Sequence, residues 1–541
     1  MRWPWPRMVP EIFPPEILHL PILLFFSFLR MSVAYFFALF FAIVVGVMAG
    51  TSQRRANWII PLLDILQSVP VLGFFPIAIF FFVSLTGTER VGMEFASVFL
   101  IFTSMVWNMA FSVYESIRLL PVELREVAEI FGLSPPMRFL KLYLPVCIPK
   151  LVVNSAMSWA GGWYFLVACE IISLGPVNIV LPGLGTFLSQ SVQNGAIRLT
   201  VAGIIALILV ILGMEVFVWR PMTCWAERYR LEMGPVEKTT PSGIWNFYRR
   251  NRYLREVRRY AVMWFTRFII GVMTFPDVLG KIFRARRLEI LLFSWRVTWM
   301  GALLTGVFLC GSYGVLLLLQ PPHPLTLLIV PALFLSFLRI MVAFVLSLAW
   351  TIPLVLLSEG SPVLFRILKT VAEIGASLPA TALFPLFVFL FIRWEGGMNF
   401  ASVLLAMTGM QWYVLFNLLA GVESFPRDLQ EVARAFFLPR RLYWQKVLFP
   451  YLIPSLITGS ISAWGGGWNA LIISEYVVYH EKNYSVLGIG SLLNRATYEL
   501  AQPNLMLYVL LFMVLFLLLF NYLVWRRLYS FALRRYRMES G

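Results

Sequence analysis

The sequence predicts an all-α polytopic membrane protein built from two copies of one five-span unit. Three observations predict it: an excess of apolar residues, an internal repeat and a one-sided distribution of basic residues. Of 541 residues, 60% are hydrophobic and only 13% charged, with 47 Phe and 19 Trp, and the mean hydropathy is +0.80. Soluble domains carry about 45–50% apolar and about 25% charged residues, so this composition cannot cover an ordinary water-facing surface. At roughly 20 residues per span plus loops, the chain has room for about a dozen helices.

The repeat sets the order of the elements. Ser27 to Arg30 (SFLR) recurs at Ser336 to Arg339, and the same offset of 309 relates Ser68 and Pro70 to Ser377 and Pro379. After a four-residue deletion the offset is 305. It then relates Trp107 to Trp412, Glu126-Val127-Ala128 to Glu431-Val432-Ala433, Trp159/Gly161/Gly162/Trp163 to Trp464/Gly466/Gly467/Trp468, Glu170 to Glu475, and Gly183/Gly185 to Gly488/Gly490. One shift over almost 200 residues marks a duplication. Apolar segments follow in matching order at 31–50, 59–86, 94–116, 148–174 and 199–219, and at 328–357, 370–392, 399–421, 453–478 and 504–525. An unpaired run at 291–319 raises the expected number of spans to eleven. The segment 261–276 is short and contains Arg267, so it is expected to lie on the membrane surface. The expected units are 1–220, a basic linker 221–288, and 289–541.

Parity and charge orient the chain. With 261–276 interfacial, six spans separate the loops around Glu126 and Glu431, which places both on one side. That side carries 34 of the 44 Lys and Arg, the other side seven, and three (Arg30, Arg296, Arg339) lie at span ends. The positive-inside rule makes the loaded side cytoplasmic, with the C-terminus inside and the N-terminus outside. The net charge of +17 therefore reports topology, and nucleic acid is excluded as a partner. The 15 basic residues of 220–287 suit anionic lipid headgroups. Six prolines and two acids in the first 21 residues argue against a cleavable signal peptide. Four cysteines without CxxC spacing and three separated histidines offer no metal site.

The repeated cytoplasmic loop reads PVELREVAEIFGLSPPMRFLKLYLPVCIP from Pro121 and FPRDLQEVARAFFLPRRLYWQKVLFPYLIP from Phe425. Glu123, Arg125, Glu126 and Glu129 set a helical run ending near Gly132, and Pro135-Pro136 suit the opening of a second short helix. Leu124, Val127, Ala128 and Phe131 share one side, which needs something to pack against: either the protein's own span ends or a partner.

These residues, with Phe139, Leu144-Pro145 and Pro149, resemble the EAA motif of permease subunits of binding-protein-dependent ABC importers. The second copy keeps Glu431, Ala433, Trp444, Phe449-Pro450 and Pro454, and departs at Phe437, where the family has glycine; its turn is expected to be made differently. Trp163, Glu170 and Gly183-Leu184-Gly185, with Trp468, Glu475 and Gly488-Ile489-Gly490, are similar to the pattern of the nitrate, sulfonate, taurine and bicarbonate group. The resemblance implies two fused permease domains facing each other across a path for a small anion. It also implies coupling helices that seat in two cytoplasmic ABC ATPase subunits, and a periplasmic or lipid-anchored substrate-binding protein. The chain lacks a G-x-x-x-x-G-K-[ST] phosphate loop, so ATP and Mg belong to the partner, and the chain is expected not to be an enzyme.

Residues at membrane depth supply the candidate path. Glu170 and Glu475 either anchor helix ends at the outer interface or form an outer gate. The glycines beside Trp163 and Trp468 serve close helix packing or, alternatively, open a cavity lined by both tryptophans and Asn469. Ser68-Val69-Pro70 and Ser377-Leu378-Pro379 interrupt the second span of each half, which points to a midplane path, where Gln67, Asn108 and Gln411 would supply hydrogen bonds. A secondary transporter with inverted repeats is the alternative. It calls for embedded ion-coupling acids and repeats of opposite topology, whereas these repeats run parallel. A membrane-bound enzyme would need clustered catalytic groups that the sequence does not contain.

Overall fold

The computed structural model describes residues 19–68, 70–171, 181–194, 196–229, 319–377, 387, 390, 391, 394–423, 425–479, 482–500 and 502–536. The first half contains α1 (Leu20–Gly50), α2 (Gln53–Ser68), α3 (Phe75–Thr86), α4 (Glu89–Arg118), α5 (Val122–Ile130), α6 (Pro135–Arg138), α7 (Leu144–Ile171), α8 (Leu184–Gln193), α9 (Ile197–Met214) and α10 (Arg220–Ala226). The second contains α11 (Ile329–Glu359), α12 (Pro362–Ser377), α13 (Gly397–Glu423), α14 (Arg427–Ala435), α15 (Arg440–Tyr443), α16 (Phe449–Ser474), α17 (Ile489–Asn494), α18 (Pro503–Phe520) and α19 (Arg526–Tyr536).

Among the described residues, eight helices are long and apolar enough to cross a membrane; they begin at Leu20, Glu89, Pro135, Arg198, Pro324, Gly397, Arg440 and Pro503. One of the eleven expected spans differs from this continuous form among the described residues. The run 59–86 is α2 and α3, separated by Pro70 and a 3-10 turn at Val71–Gly73, because proline lacks the N–H that would carry the helix through. Its counterpart α12 is described over Pro362–Ser377, and residues 378–386 fall outside the described set. So do 291–318, the expected surface helix at 261–276 and most of the basic linker. The span expected to reach residue 478 ends at Ser474. Beyond it, Tyr476–Tyr479 pairs antiparallel with Lys482–Ser485, Tyr476 opposite Ser485, a small hairpin in an otherwise helical chain.

Close helix contact accounts for the small residues. Ala34, Ala38, Ala42 and Gly46 form a buried ridge on α1, and a Cβ on Gly46 would stand 2.6 Å from the Val113 side chain on α4. In the second half a Cβ on Gly409 would stand 3.1 Å from the Gly466 carbonyl, and one on Gly467 2.6 Å from Met410 Sδ. The paired tryptophan-glycine runs therefore serve helix packing, which lets backbones approach where lipid gives no hydrophobic drive. Aromatic clusters tie the last span of each half to its core. Trp159 meets Phe28, Tyr35 and Trp219 with ring centroids 5.5–6.1 Å apart, and Trp464 meets Phe337, Phe344, Phe520 and Trp525 at 4.7–6.0 Å.

The halves pack through their interrupted spans. The helix α12 lies against α7 and α9, α2 lies against α18, and the Val71–Gly73 turn lies against α16. A Cβ on Gly73 would be 3.0 Å from Met513 and 3.1 Å from Leu510, so this turn sits directly on the other half.

Candidate functional site

At the end of each half opposite the repeated loop, two side chains of one helix and a backbone N–H of another converge on one buried carboxylate. Arg30 on α1 donates from Nη1 to Glu170 Oε1 (2.7 Å) and to the Pro182 carbonyl (2.9 Å). Its Nε and Nη2 grip both oxygens of Glu94 on α4 at 2.6 and 2.7 Å. Ser27 donates to Glu170 Oε1 (2.7 Å) and accepts from the Leu184 N–H (2.9 Å), while the Gly185 N–H donates to Glu170 Oε2 (2.8 Å). Glu170 thus caps α8, the helix that follows its own, by satisfying one of the N–H groups that a helix start leaves open.

The second half repeats this latch. Arg339 donates to Glu475 (2.7 Å) and to the Leu487 carbonyl (3.0 Å), Ser336 donates to Glu475 (2.6 Å), and the Ile489 and Gly490 N–H groups are held by Ser336 (2.9 Å) and Glu475 (2.8 Å). Where the first half has Glu94, Asn399 Oδ1 accepts from Nε and Nη2 of Arg339 at 3.0 and 2.8 Å. The glycines of Gly-Leu-Gly and Gly-Ile-Gly follow from this geometry. A methyl group on Gly183 would overlap the Glu170 carboxyl, and one on Gly488 the Glu475 carboxyl. Glu170 is 1% and Glu475 0% exposed, so these acids are buried ion-pair partners. Outside the membrane, Tyr476 donates to Glu499 at 3.2 Å; burial and the adjacent carboxylate push its hydroxyl up to about 12, leaving it a neutral donor.

The repeated loops share a backbone. In the first, the Gly132 N–H bonds to Glu129 O (2.9 Å) and the Leu133 N–H to Ala128 O (3.1 Å), with Gly132 at φ 59°. In the second, Phe437 bonds to Arg434 O (3.0 Å) and Leu438 to Ala433 O (3.1 Å), with Phe437 at φ 49°. Both are Schellman turns. The expectation of a differently made turn is corrected: Phe437 is the non-glycine residue with positive φ among the described residues, and it adopts the left-handed state at a cost of about 1–2 kcal/mol. Ala128 and Ala433 face inward at 4% and 7% exposure, and Phe139 is buried. Glu123, Glu126 and Glu431 are exposed, and Trp444 is half-buried beneath Arg440, whose guanidinium lies 4.8 Å from the ring. The apolar side is divided. Leu124 and Ala128 turn toward the protein, while Val127, Ile130 and Phe131, and likewise Val432, Phe436 and Phe437, are exposed.

The candidate path residues divide as well. Trp163 and Trp468 are buried in their own halves, with Trp468 packed on Phe516 at 5.9 Å between ring centroids. Buried Gln411 accepts from Trp350 Nε1 at 3.1 Å. These three sit in the interior and not along an open wall. Gln67 and Asn108 are exposed, and Asn469 is half-buried, donating to Gly465 O at 3.0 Å. Ser68 and Ser377 close α2 and α12.

Two tyrosines missed in the sequence join this set, because the 305 offset equates Asn108 with Tyr413 and Tyr164 with Asn469. A Cβ on Gly161 of α7 would be 3.7 Å from Tyr413 Oη, so Tyr413 crosses to the other half. Tyr164 packs on Leu405 of α13. Along α16 the accessible face carries Thr458, Ser462, Gly465 and Asn469; the equivalent α7 positions are Val153, Met157, Ala160 and Tyr164.

Part of the chain is similar in sequence to known proteins. The chain is 24% identical over 205 residues to the bicarbonate transport system permease of Synechococcus elongatus, covering 38% of this chain and 67% of that protein. It is 25% identical over 170 residues to the nitrate import permease of Leptolyngbya laminosa (31% and 56%). It is 25% identical over 184 residues to the taurine transport system permease of Escherichia coli (34% and 63%). The matched region spans about two thirds of these relatives or less. The family described as the binding-protein-dependent transport system inner membrane component matches residues 38–218 and again 352–535, more than half of the chain. With eight helices able to cross a membrane and the family matched once in each half, the chain is a multi-pass inner membrane protein that belongs to the binding-protein-dependent transport system inner membrane components.

Proposed function

We propose that the chain is the duplicated permease of an ABC importer, with a path for a small anion between its halves and its two loops seated in separate cytoplasmic ATPase subunits. One observation carries the coupling: α7 and α16 each run from a cytoplasmic loop at one end to a latch carboxylate at the other. At 1.5 Å per residue each helix spans about 40 Å, so a push on the loop reaches the outer latch through a single rigid element. Repeated π-helical turns, Phe139–Tyr143 and Trp444–Leu448, join loop to helix at the point of leverage. ATP and Mg act on the partner subunits, and a periplasmic or lipid-anchored binding protein delivers the solute.

The anionic substrate rests on the names of the relatives. The polar face of α16 adds support, since hydroxyl and amide groups on a span favour a wet interior over lipid. The experiment replaces Glu126→Ala together with Glu431→Ala in the full chain, co-expressed with an ABC ATPase. Loss of ATPase co-purification with unchanged yield of the folded permease is expected. Undiminished co-purification overturns the coupling assignment.

A further inference from the structure

Two tyrosines cross the seam between the halves in opposite directions. Tyr164 of α7 packs on Leu405 of α13. The ring of Tyr413 of α13 lies over Gly466, where a Cβ would be 2.9 Å from Cε2, and its Oη reaches α7, where a Cβ on Gly161 would be 3.7 Å away. Gly161 and Tyr164 are three residues apart and share a helix face, so both phenols occupy one stretch of the seam. Asn108 stands on α4 where Tyr413 stands on α13. It is exposed although α4 is the most enclosed of the eight spans, with 61% of its apolar stretch buried, so its amide borders an interior space and not lipid.

One hydrogen at this seam has no acceptor. The Tyr164 hydroxyl is out of reach of solvent and has no hydrogen-bond partner among the described residues. A buried polar group left in this way is costly, and it marks the place of a missing partner. Space lies alongside, since a Cβ on Gly465 of α16 would meet nothing within 4 Å. The hydroxyls of α16 spend their hydrogens on their own helix, Thr458 on Pro454 O (3.0 Å) and Ser462 on Thr458 O (3.2 Å). We propose that Tyr164 and Tyr413, with the amide of Asn108, form a binding site for a small oxyanion, whose oxygens accept from the phenol O–H and amide N–H groups. An oxyanion offers acceptors alone, which is what the Tyr164 hydroxyl lacks. The Arg30 and Arg339 guanidiniums are held in the latches, so the anion meets neutral donors and no fixed positive charge. Such a site binds loosely enough to release its solute, as a conducting path requires. The inference rests on the anion-path reading above and adds to it the groups that touch the solute.

The test puts Tyr164→Phe, Tyr413→Phe and the double variant in the full chain, in cells of the source organism lacking the native copy, and follows uptake of labelled nitrate, bicarbonate, taurine and methanesulfonate. For the solute whose uptake the chain supports, each single variant should lower the maximal rate about tenfold, the effect of one lost hydrogen bond to a charged group. KM should stay unchanged, because the binding protein captures the solute. Purified Tyr164→Phe permease should melt at the parent's temperature or higher, since it sheds an unpartnered buried hydroxyl. A double variant within about twofold of the parent's rate, or a lower melting temperature for Tyr164→Phe, overturns the site and leaves the anion reading intact. If none of the four uptakes depends on the chain, the anion reading itself falls and the site with it. As a second arm, the fluorine resonance of fluorotyrosine in place of Tyr164, in purified permease in lipid nanodiscs, should shift saturably with the transported solute at constant ionic strength. No saturable shift would make a trapped water the partner of Tyr164 and also overturns the site.

Discussion

The carboxylate latches and the repeated loops are both present twice, yet they have diverged in opposite ways. The latches keep their chemistry nearly atom for atom, Ser27/Arg30/Glu170/Gly185 against Ser336/Arg339/Glu475/Gly490, with one substitution, Glu94 against Asn399, at the edge where the Glu94 side chain is 37% exposed. The loops keep their hydrogen-bonded turns while exchanging charge and bulk on the surface. A buried ion pair is constrained from within, since any unmatched charge is left without water. An exposed tip is constrained only by what it touches.

The comparison can be broken at its strongest point first. Glu170→Ala leaves Arg30 buried without its interior partner. Removing one member of a buried pair costs about 3–5 kcal/mol, so thermal unfolding of the purified permease in detergent should show a large loss, matched by Glu475→Ala in the other half. A loss under about 1 kcal/mol in either half would show that this latch is not a sealed ion pair. Next, Gly183→Ala and Gly488→Ala push a methyl into the carboxylates. Overpacking of this kind costs about 1–3 kcal/mol, read by the same melts, and unequal costs would reveal that one latch is looser. The smallest effect belongs to the exchange Glu94→Asn with Asn399→Glu. Because the Glu94 side chain is partly exposed, about 0–1 kcal/mol is expected; a larger change would mean that the two latches are not interchangeable.

Much of the fold was legible because its causes are local or repeated. Apolar length, the 305 and 309 offsets and one-sided basic residues need no knowledge of contacts, and Pro70 announces its own interruption. The latch was not read, although its parts were in view. Ser27 to Arg30 served as a marker of the repeat and Glu170 as a separate candidate, and nothing local says that residues 140 positions apart are donor and acceptor of one ion pair. The signal available was that a recurring Arg inside a span demands a recurring carboxylate, with Gly-Leu-Gly beside it. Size and glycine neighbours at Trp163 and Trp468 suit a cavity and a packed core equally in sequence, and the structure adds that both rings are buried. At Phe437 the sequence suggested a different turn, yet the backbone kept the old one, since two turn hydrogen bonds outweigh the discomfort of one residue.

The interrupted spans, each resting on the opposite half, have an evolutionary consequence. In a permease assembled from two identical chains, every substitution appears on both sides of the axis and must be tolerated in both places at once. A tandem chain frees each side of its mirror image. Asn108 can stand where the other half has Tyr413, and Thr458 and Ser462 on α16 can stand where α7 has Val153 and Met157, because each wall has its own codons to change.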